Sequence, residues 1–272
     1  MPDIIDQTLL EKVMAIAEEA GRRILEIYET DFAVERKDDR SPLTEADLAA
    51  HGAITAGLAA IEPGVPILSE ESAQTPPAER LRWRRYWLVD PLDGTREFVK
   101  RNGEFTVNIA LIDDHRPVLG VVYVPVTGVC YYAGRGLGAY KREPGGDPVR
   151  IRVRPLPQGT ITVAGSRSHR DPKTQRFIDR LGEVELISIG SSLKTCLVAE
   201  GSADVYPRFG ETSEWDTAAA QCVVEEAGGH LTDTGLRPLR YNTGESIINP
   251  PFLVFGDGSV DWHRYLPDTA GS

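Results

Sequence analysis

The chain has 272 residues, a formal net charge of −11, and 41% hydrophobic and 26% charged residues. That length and balance belong to a folded protein of one large or two smaller domains and exclude disorder as its theme. The negative charge excludes nucleic acid and anionic membranes as main partners, so an anionic substrate would have to be met by local cations or metal ions.

The opening MPDIIDQTLLEKVM lacks the basic and apolar regions of a secretory signal, and no later apolar run approaches the length of a bilayer span. A cytoplasmic protein without a transmembrane segment is expected. Leu9, Leu10, Val13, Ile16, Ala17, Ala20, Ile24, Ile27 and Tyr28 recur at helical spacing and predict one long amphipathic helix. A second helix is expected from Thr44 to about Ile61. GVPILSEE (64–71) reads as turn, short strand and acidic end, and SAQTPPAERLRWRRY (72–86) as a loop whose arginines are solvated.

Trp87-Leu88-Val89 predicts a buried strand that ends in Asp90 and Asp93 around a rigid Pro91-Leu92 spacer, followed by Gly94-Thr95. TVNIALI and PVLGVVYVPVTGVCYYA are β-rich, with a turn at 125–128. The Gly-, Pro- and Arg-rich stretch 141–159 is the expected junction between an N-terminal subdomain, 1–140, and a C-terminal one, 141–272. Beyond it come a strand and loop (TITVAGSRS), a helix closed by Gly182, a strand (VELISIG), and two helices, SSLKTCLVAEG and DTAAAQCVVEEAGG. Asp216 is the expected N-cap of the last. Cys130, Cys196 and Cys222 form no CxxC pair, and Cys196 and Cys222 read as core residues. Strands and helices alternate in both halves, which is a mixed α and β class built from layered sheets and helices.

Carboxylates delivered together at strand and helix ends repel unless a cation lies between them. Mg²⁺ takes oxygen ligands in octahedral array, usually a few carboxylates plus substrate phosphate, and Glu70, Asp90, Asp93, Asp216 and the Leu92 carbonyl suit it. Each residue also has an ordinary reading. Asp216 caps a helix, Glu70-Glu71 is a wet strand end, Asp47 closes a capping box with Thr44, Lys194 is a solvated helix residue, and His169 lies on the surface.

WLVDPLDGTREF, with LSEE twenty residues upstream and SEWDTAAAQCVVEEAGG far downstream, resembles the lithium-sensitive, Mg²⁺-dependent phosphatase superfamily of inositol monophosphatase. Within it, SPLTEADLAAH, FVKRNGEFTVNIALI, GSRSH and GSSLKTCLVAEGSADVYPRFG are similar to the CysQ-type 3′(2′),5′-bisphosphate nucleotidases. The resemblance implies an αβαβα sandwich that removes the 3′-phosphate of adenosine 3′,5′-bisphosphate, with the sulfated analogue as a further substrate. An inositol or sugar phosphatase of the same fold is the alternative. It implies two or three Mg²⁺ ions. One is held by Glu70, Asp90 and the Leu92 carbonyl and a second by Asp90, Asp93 and Asp216, with Glu70 helping a third. Thr95 and Asp47 are implied to orient and deprotonate the attacking water, and the N–H groups around Gly94 and Thr95 to cradle phosphate. Ser191, Lys194 and Arg208 are implied to meet the 5′-phosphate, and His169 the adenine. A homodimer and peripheral association with the inner membrane are left open.

Overall fold

The computed structural model describes residues 5–30, 42–72, 74–157, 159–165 and 171–267. His169, expected beside the adenine, lies outside them. Two helices open the chain, α1 (Gln7–Tyr28) and α2 (Pro42–Ile61). Asp6 caps α1 by accepting from the Leu9 N–H at 2.8 Å. Helix α2 begins two residues before the expected start, so Thr44 and Asp47 lie inside it and the expected capping box between them does not exist.

Strand β1 (Ile67–Ser69) runs into a single 3₁₀ turn, Glu70–Ser72, and the short helix α3 (Pro77–Arg80) follows. After β2 (Arg85–Asp93) and the one-turn helix α4 (Thr95–Val99) come β3 (Thr106–Asp113), β4 (Arg116–Val124), β5 (Val129–Gly134), β6 (Gly138–Arg142) and β7 (Val149–Arg150). These strands form one seven-stranded sheet in sequence order, antiparallel except for the β1–β2 pair. The remaining elements are β8 (Ile161–Gly165), α5 (Pro172–Leu181), β9 (Val184–Ser188), α6 (Leu193–Ala199), β10 (Val205–Arg208), α7 (Glu214–Glu226), β11 (His230–Asp233), β12 (Phe252–Phe255) and a 3₁₀ turn at Trp262–Tyr265. Their strands make a second sheet in the order β11-β12-β10-β8-β9. Strand β7 lies within the stretch read as a junction and still pairs with β6; the chain crosses to the second sheet between Arg150 and Ile161.

Period-two alternation explains the layering. From β2 and β3, Trp87, Val89, Ile109 and Leu111 pack under α1 and α2, while Tyr86, Leu88, Ala110 and Ile112 face α6 and α7. The second sheet repeats the pattern. Ala164, Tyr206, Leu231 and Val254 point toward α7, and Val163, Val205, Leu253 and Phe255 toward α5 and Trp262. The result is five layers, α1/α2, sheet, α6/α7, sheet and α5, with three apolar cores between them. Each large side chain so buried contributes about 1.5–3 kcal/mol. Helix α7 can lie in the middle only because its inner face is small. A Cβ on Gly120 of β4 would stand 2.2 Å from the Ala219 carbonyl oxygen.

Three local expectations change. Strand β2 does not stop at Val89 but continues through Asp90 and Asp93. Asp216 is not the N-cap of α7; Ser213 is, and Asp216 at the third helical position completes a capping box with it. The arginines of 72–86 are not all solvated. Arg80 is buried and donates to Asn242 Oδ1 at 2.6 Å, to the Gly244 carbonyl at 3.0 Å and to the Glu245 carbonyl. Arg85 is half-buried and pairs with Glu62 at 2.7 Å. All three cysteines are free and buried.

Candidate active site

The two aspartates of β2 are placed by an irregularity in the sheet. Asp90 pairs with Asn108 and Asp93 with Thr106, so three steps along β2 match two along β3. In a regular strand residues three apart point to opposite faces; the bulge at Pro91-Leu92, where proline has no N–H for the ladder, brings both carboxylates to one face. The partners confirm that face, since the Thr106 hydroxyl donates to Asn108 Oδ1 at 3.0 Å. Gly94, at φ +99°, then turns the chain into α4, and the first N–H groups of that helix have no partner within it.

Glu70 enters from the turn after β1, the strand parallel to β2, and Asp216 from the first turn of α7. Asp47 comes from α2, which packs on both α4 and the Glu70–Ser72 turn. Their mutual effects show convergence. Burial first, then Asp93, Asp216, Glu70 and Asp47, hold Asp90 well above the ordinary carboxylate range. Burial and the Asp93 charge raise Asp216 to about 7. Burial, then Glu71 and Glu70, raise Asp47 to about 8. Glu70 is raised by burial, Asp93 and Glu71, although its residue as a whole is the most exposed of the set.

Such a cluster is costly without a cation. The donor set is all oxygen, which fits Mg²⁺ rather than a thiolate or imidazole metal. Asp47 Oδ1 is buried without a hydrogen-bond partner, an orphan acceptor that a hydrated ion would satisfy. Among the described residues no three His, Cys, Asp or Glu side chains already stand in ligating geometry. Neither does any hydrogen bond join Thr95 to Asp47 Oδ1.

Beside the carboxylates lies a cavity of about 140 Å³ whose lining includes Asp93, Gly94, Asp216, Ser191, Lys194 and Arg208. Lys194 is buried, not a solvated helix residue. Its Nζ donates to the Ser191 carbonyl at 2.6 Å, lies 5.5 Å from the centre of the Tyr206 ring, and is pushed down to about 8, by burial above all. Ser191 adopts φ +47°, and its hydroxyl is buried with no partner. The Nε of Arg208 is likewise buried and unpartnered, while its Nη2 donates to the Glu211 carbonyl at 2.9 Å. Two functional neighbours escaped sequence reasoning, Asn108 and Ser192. Asn108 left one signal, a polar residue inside the apolar run TVNIALI.

Residues 6–257 match the model of the inositol monophosphatase family. Over 250 residues the chain is 51% identical to the 3′(2′),5′-bisphosphate nucleotidase CysQ of Salmonella typhimurium, covering 90% of this chain and 99% of the relative. Identity to the protein of the same name from Escherichia coli K12 is 50% over the same shares. Among solved structures, CysQ from Bacteroides thetaiotaomicron superposes with a TM-score of 0.84 at 44% identity, over 92% of this chain and 97% of that one. An inositol monophosphatase from Zymomonas mobilis, 24% identical with a TM-score of 0.79 over 95% and 96% of the two chains, shares the fold.

Proposed function

The chain belongs to the inositol monophosphatase family, and on that premise we propose that it is a Mg²⁺-dependent phosphatase removing the 3′-phosphate of adenosine 3′,5′-bisphosphate to leave AMP. The sulfated analogue, which carries a sulfuryl group on its 5′-phosphate, is a second substrate. One observation carries the choice of a substrate with two phosphates. Two buried donors without partners, Ser191 Oγ and Arg208 Nε, belong to residues that line one cavity with Lys194, Asp93 and Asp216. A buried donor left unmade is costly, and a 5′-phosphate would satisfy both. An inositol or sugar monophosphate would leave them bare.

Glu70, Asp90, Asp93, Asp216 and the Leu92 carbonyl would hold two or three Mg²⁺ ions. Bound there, the ions supply positive charge to the attacking water and the leaving oxygen. Asp47, with Oδ1 free to accept, takes the proton of that water through the Thr95 hydroxyl, a relay that tightens when substrate is bound. The water oxygen joins phosphorus, the bond to the ribose 3′-oxygen breaks, and that oxygen takes a proton from solvent water to become the hydroxyl of AMP, while Asp47 returns its proton to solvent. The N–H groups opening α4 at Gly94 and Thr95 orient the phosphoryl oxygens. Lys194, Arg208 and Ser191 grip the far phosphate, and His169 is assigned to the adenine.

No helix of the described residues is long and apolar enough to cross a membrane. We place the enzyme in the cytoplasm with a small nucleotide as its partner. Release of inorganic phosphate from adenosine 3′,5′-bisphosphate and from inositol 1-phosphate tests the reading. Strong preference for the nucleotide, dependence on Mg²⁺ and inhibition by Li⁺, which brings half the charge to a Mg²⁺ position, are expected. Preference for inositol 1-phosphate would overturn it.

A further inference from the structure

Ser192 breaks a local rule. It is the N-cap of α6, where a serine hydroxyl ordinarily accepts from an N–H of its own helix, yet it makes no such bond. The hydroxyl is turned the other way. Ser192 Oγ lies 2.8 Å from Asp93 Oδ2 and 2.8 Å from the Asp216 carbonyl oxygen, and it accepts from Asn108 Nδ2 at 2.9 Å. The Ser192 backbone N–H adds a second donor to the same Asp93 oxygen at 2.7 Å. Asn108 is itself fixed by the Thr106 hydroxyl, so its amide donates and the serine proton must go to Asp93 or to the Asp216 carbonyl. One buried hydroxyl thus joins β2, β3 and the first turn of α7.

We infer that Ser192 is a positioning residue that sets the spacing of Asp93 and Asp216; this rests on the reading that the pair binds one Mg²⁺. Capping of α6 is forgone for that purpose. The preceding residue, Ser191, lines the substrate cavity, and Lys194 donates to its carbonyl. A single turn therefore carries the spacer of the metal ligands and the grip on the second phosphate. Ser192 acts through the Asp93 carboxylate, to which both its hydroxyl and its N–H are bonded, and through the main-chain carbonyl of Asp216, which places the first turn of α7.

Calorimetric titration of Mg²⁺ into the full-length, substrate-free protein tests this, with steady-state kinetics alongside. Loss of a partner behind a metal ligand weakens metal affinity roughly 10- to 100-fold. Ser192→Ala should show that loss, with kcat recovered by added Mg²⁺ and KM for adenosine 3′,5′-bisphosphate changed by less than about threefold. Ser192→Thr, which keeps the hydroxyl, should retain wild-type Mg²⁺ affinity. Ser191→Ala should do the reverse of Ser192→Ala, raising KM and leaving Mg²⁺ affinity alone. Wild-type Mg²⁺ affinity in Ser192→Ala, or equal losses in the Ala and Thr variants, would reduce Ser192 to a packing residue and overturn the inference. Absence of Mg²⁺ binding to the wild type would overturn it together with the metal assignment. Mg²⁺ binding without turnover of the bisphosphate would overturn only the substrate reading, and the Ser192 comparison would still decide this one.

Discussion

Asp90 is buried and faces four other carboxylates, of which Asp93 acts most strongly on it. Neutralising it should have opposite effects on function and stability. Asp90→Asn should lose several orders of magnitude in turnover because a carboxylate proposed to hold the ions is gone, yet melt higher than wild type without Mg²⁺ because the buried group no longer has to take up a proton on folding. Phosphate release and thermal melting in a chelator check the two halves. Near wild-type turnover would contradict that role. Lys194 and Arg208 make the complementary case, since their charges face the wall assigned to the second phosphate. A charge-assisted contact contributes about 1.5–3 kcal/mol. Lys194→Ala or Arg208→Ala should therefore lower kcat/KM for adenosine 3′,5′-bisphosphate roughly 10- to 150-fold. Adenosine 3′-monophosphate should lose far less. Equal losses on both substrates with unchanged melting would remove these residues from the 5′-phosphate.

At the scale of elements, the site depends on how α7 is anchored, because its first turn carries Asp216. Glu214, its first residue, accepts from the Asn242 N–H through both carboxylate oxygens at 2.9 Å. Asn242, at φ +55°, is clasped in turn by Arg80, accepting its guanidinium and donating to its carbonyl at 2.5 Å. Helix α3, only four residues long, thereby pins the entry to α7 from more than a hundred residues away in sequence. Arg80→Ala would leave the Asn242 side chain and two carbonyls without their donor. We expect a loss of about 3 kcal/mol and a melting temperature lower by roughly 5–10 °C. Activity per folded molecule should fall less than about tenfold, since Arg80 lies outside the catalytic machinery. An unchanged melting temperature would show that the clasp contributes nothing.

Across the whole molecule, the packing of five layers delivers carboxylates from α2, the turn after β1, β2 and α7 to one place, and their protons become a stability term. Asp47 is raised to about 8, Asp216 to about 7, and Asp90 well above its usual range, in each case first by burial. In the unfolded chain these groups titrate near 4. Between about pH 4 and pH 8 the folded, Mg²⁺-free protein therefore binds more protons than the unfolded chain, and its stability falls as pH rises. Lys194, held down to about 8, has the opposite sign but acts only above that window. Mg²⁺ binds the deprotonated folded form and should restore what the protons supplied. In a chelator the melting temperature should drop by roughly 5–10 °C from pH 5 to pH 8, and saturating Mg²⁺ should remove most of that drop. A flat or rising curve in chelator would show that the carboxylates are not held protonated.

Periodicity and turn chemistry are local properties, and they suffice for α1, for β3 to β5 with the 125–128 turn, for α5 between Asp171 and Gly182, and for the layered α and β class. The acidic motifs are local too, so Glu70, Asp90, Asp93 and Asp216 were legible as carboxylates suited to an oxygen-loving metal, and the order of the motifs pointed to the family. Other features depend on contacts between distant segments. The bulge that turns Asp90 and Asp93 to one face is a mismatch between β2 and β3 and exists only when they pair. The capping role passed from Asp216 to Ser213 because Ser213 and its neighbours bridge to residues near 248, with the Glu214 N–H on the Ile247 carbonyl. Arg80 reads as one more loop arginine until residues 242–245 close around it. Ser192 carries no local signal, and its role arises only when Asp93, Asn108 and Asp216 arrive from three other elements. The sequence by itself determined which groups could bind metal and phosphate, since that is a matter of side-chain chemistry. Only the tertiary structure decided which of them meet and which oxygens stay free, because burial and like-charge proximity arise between segments far apart along the chain.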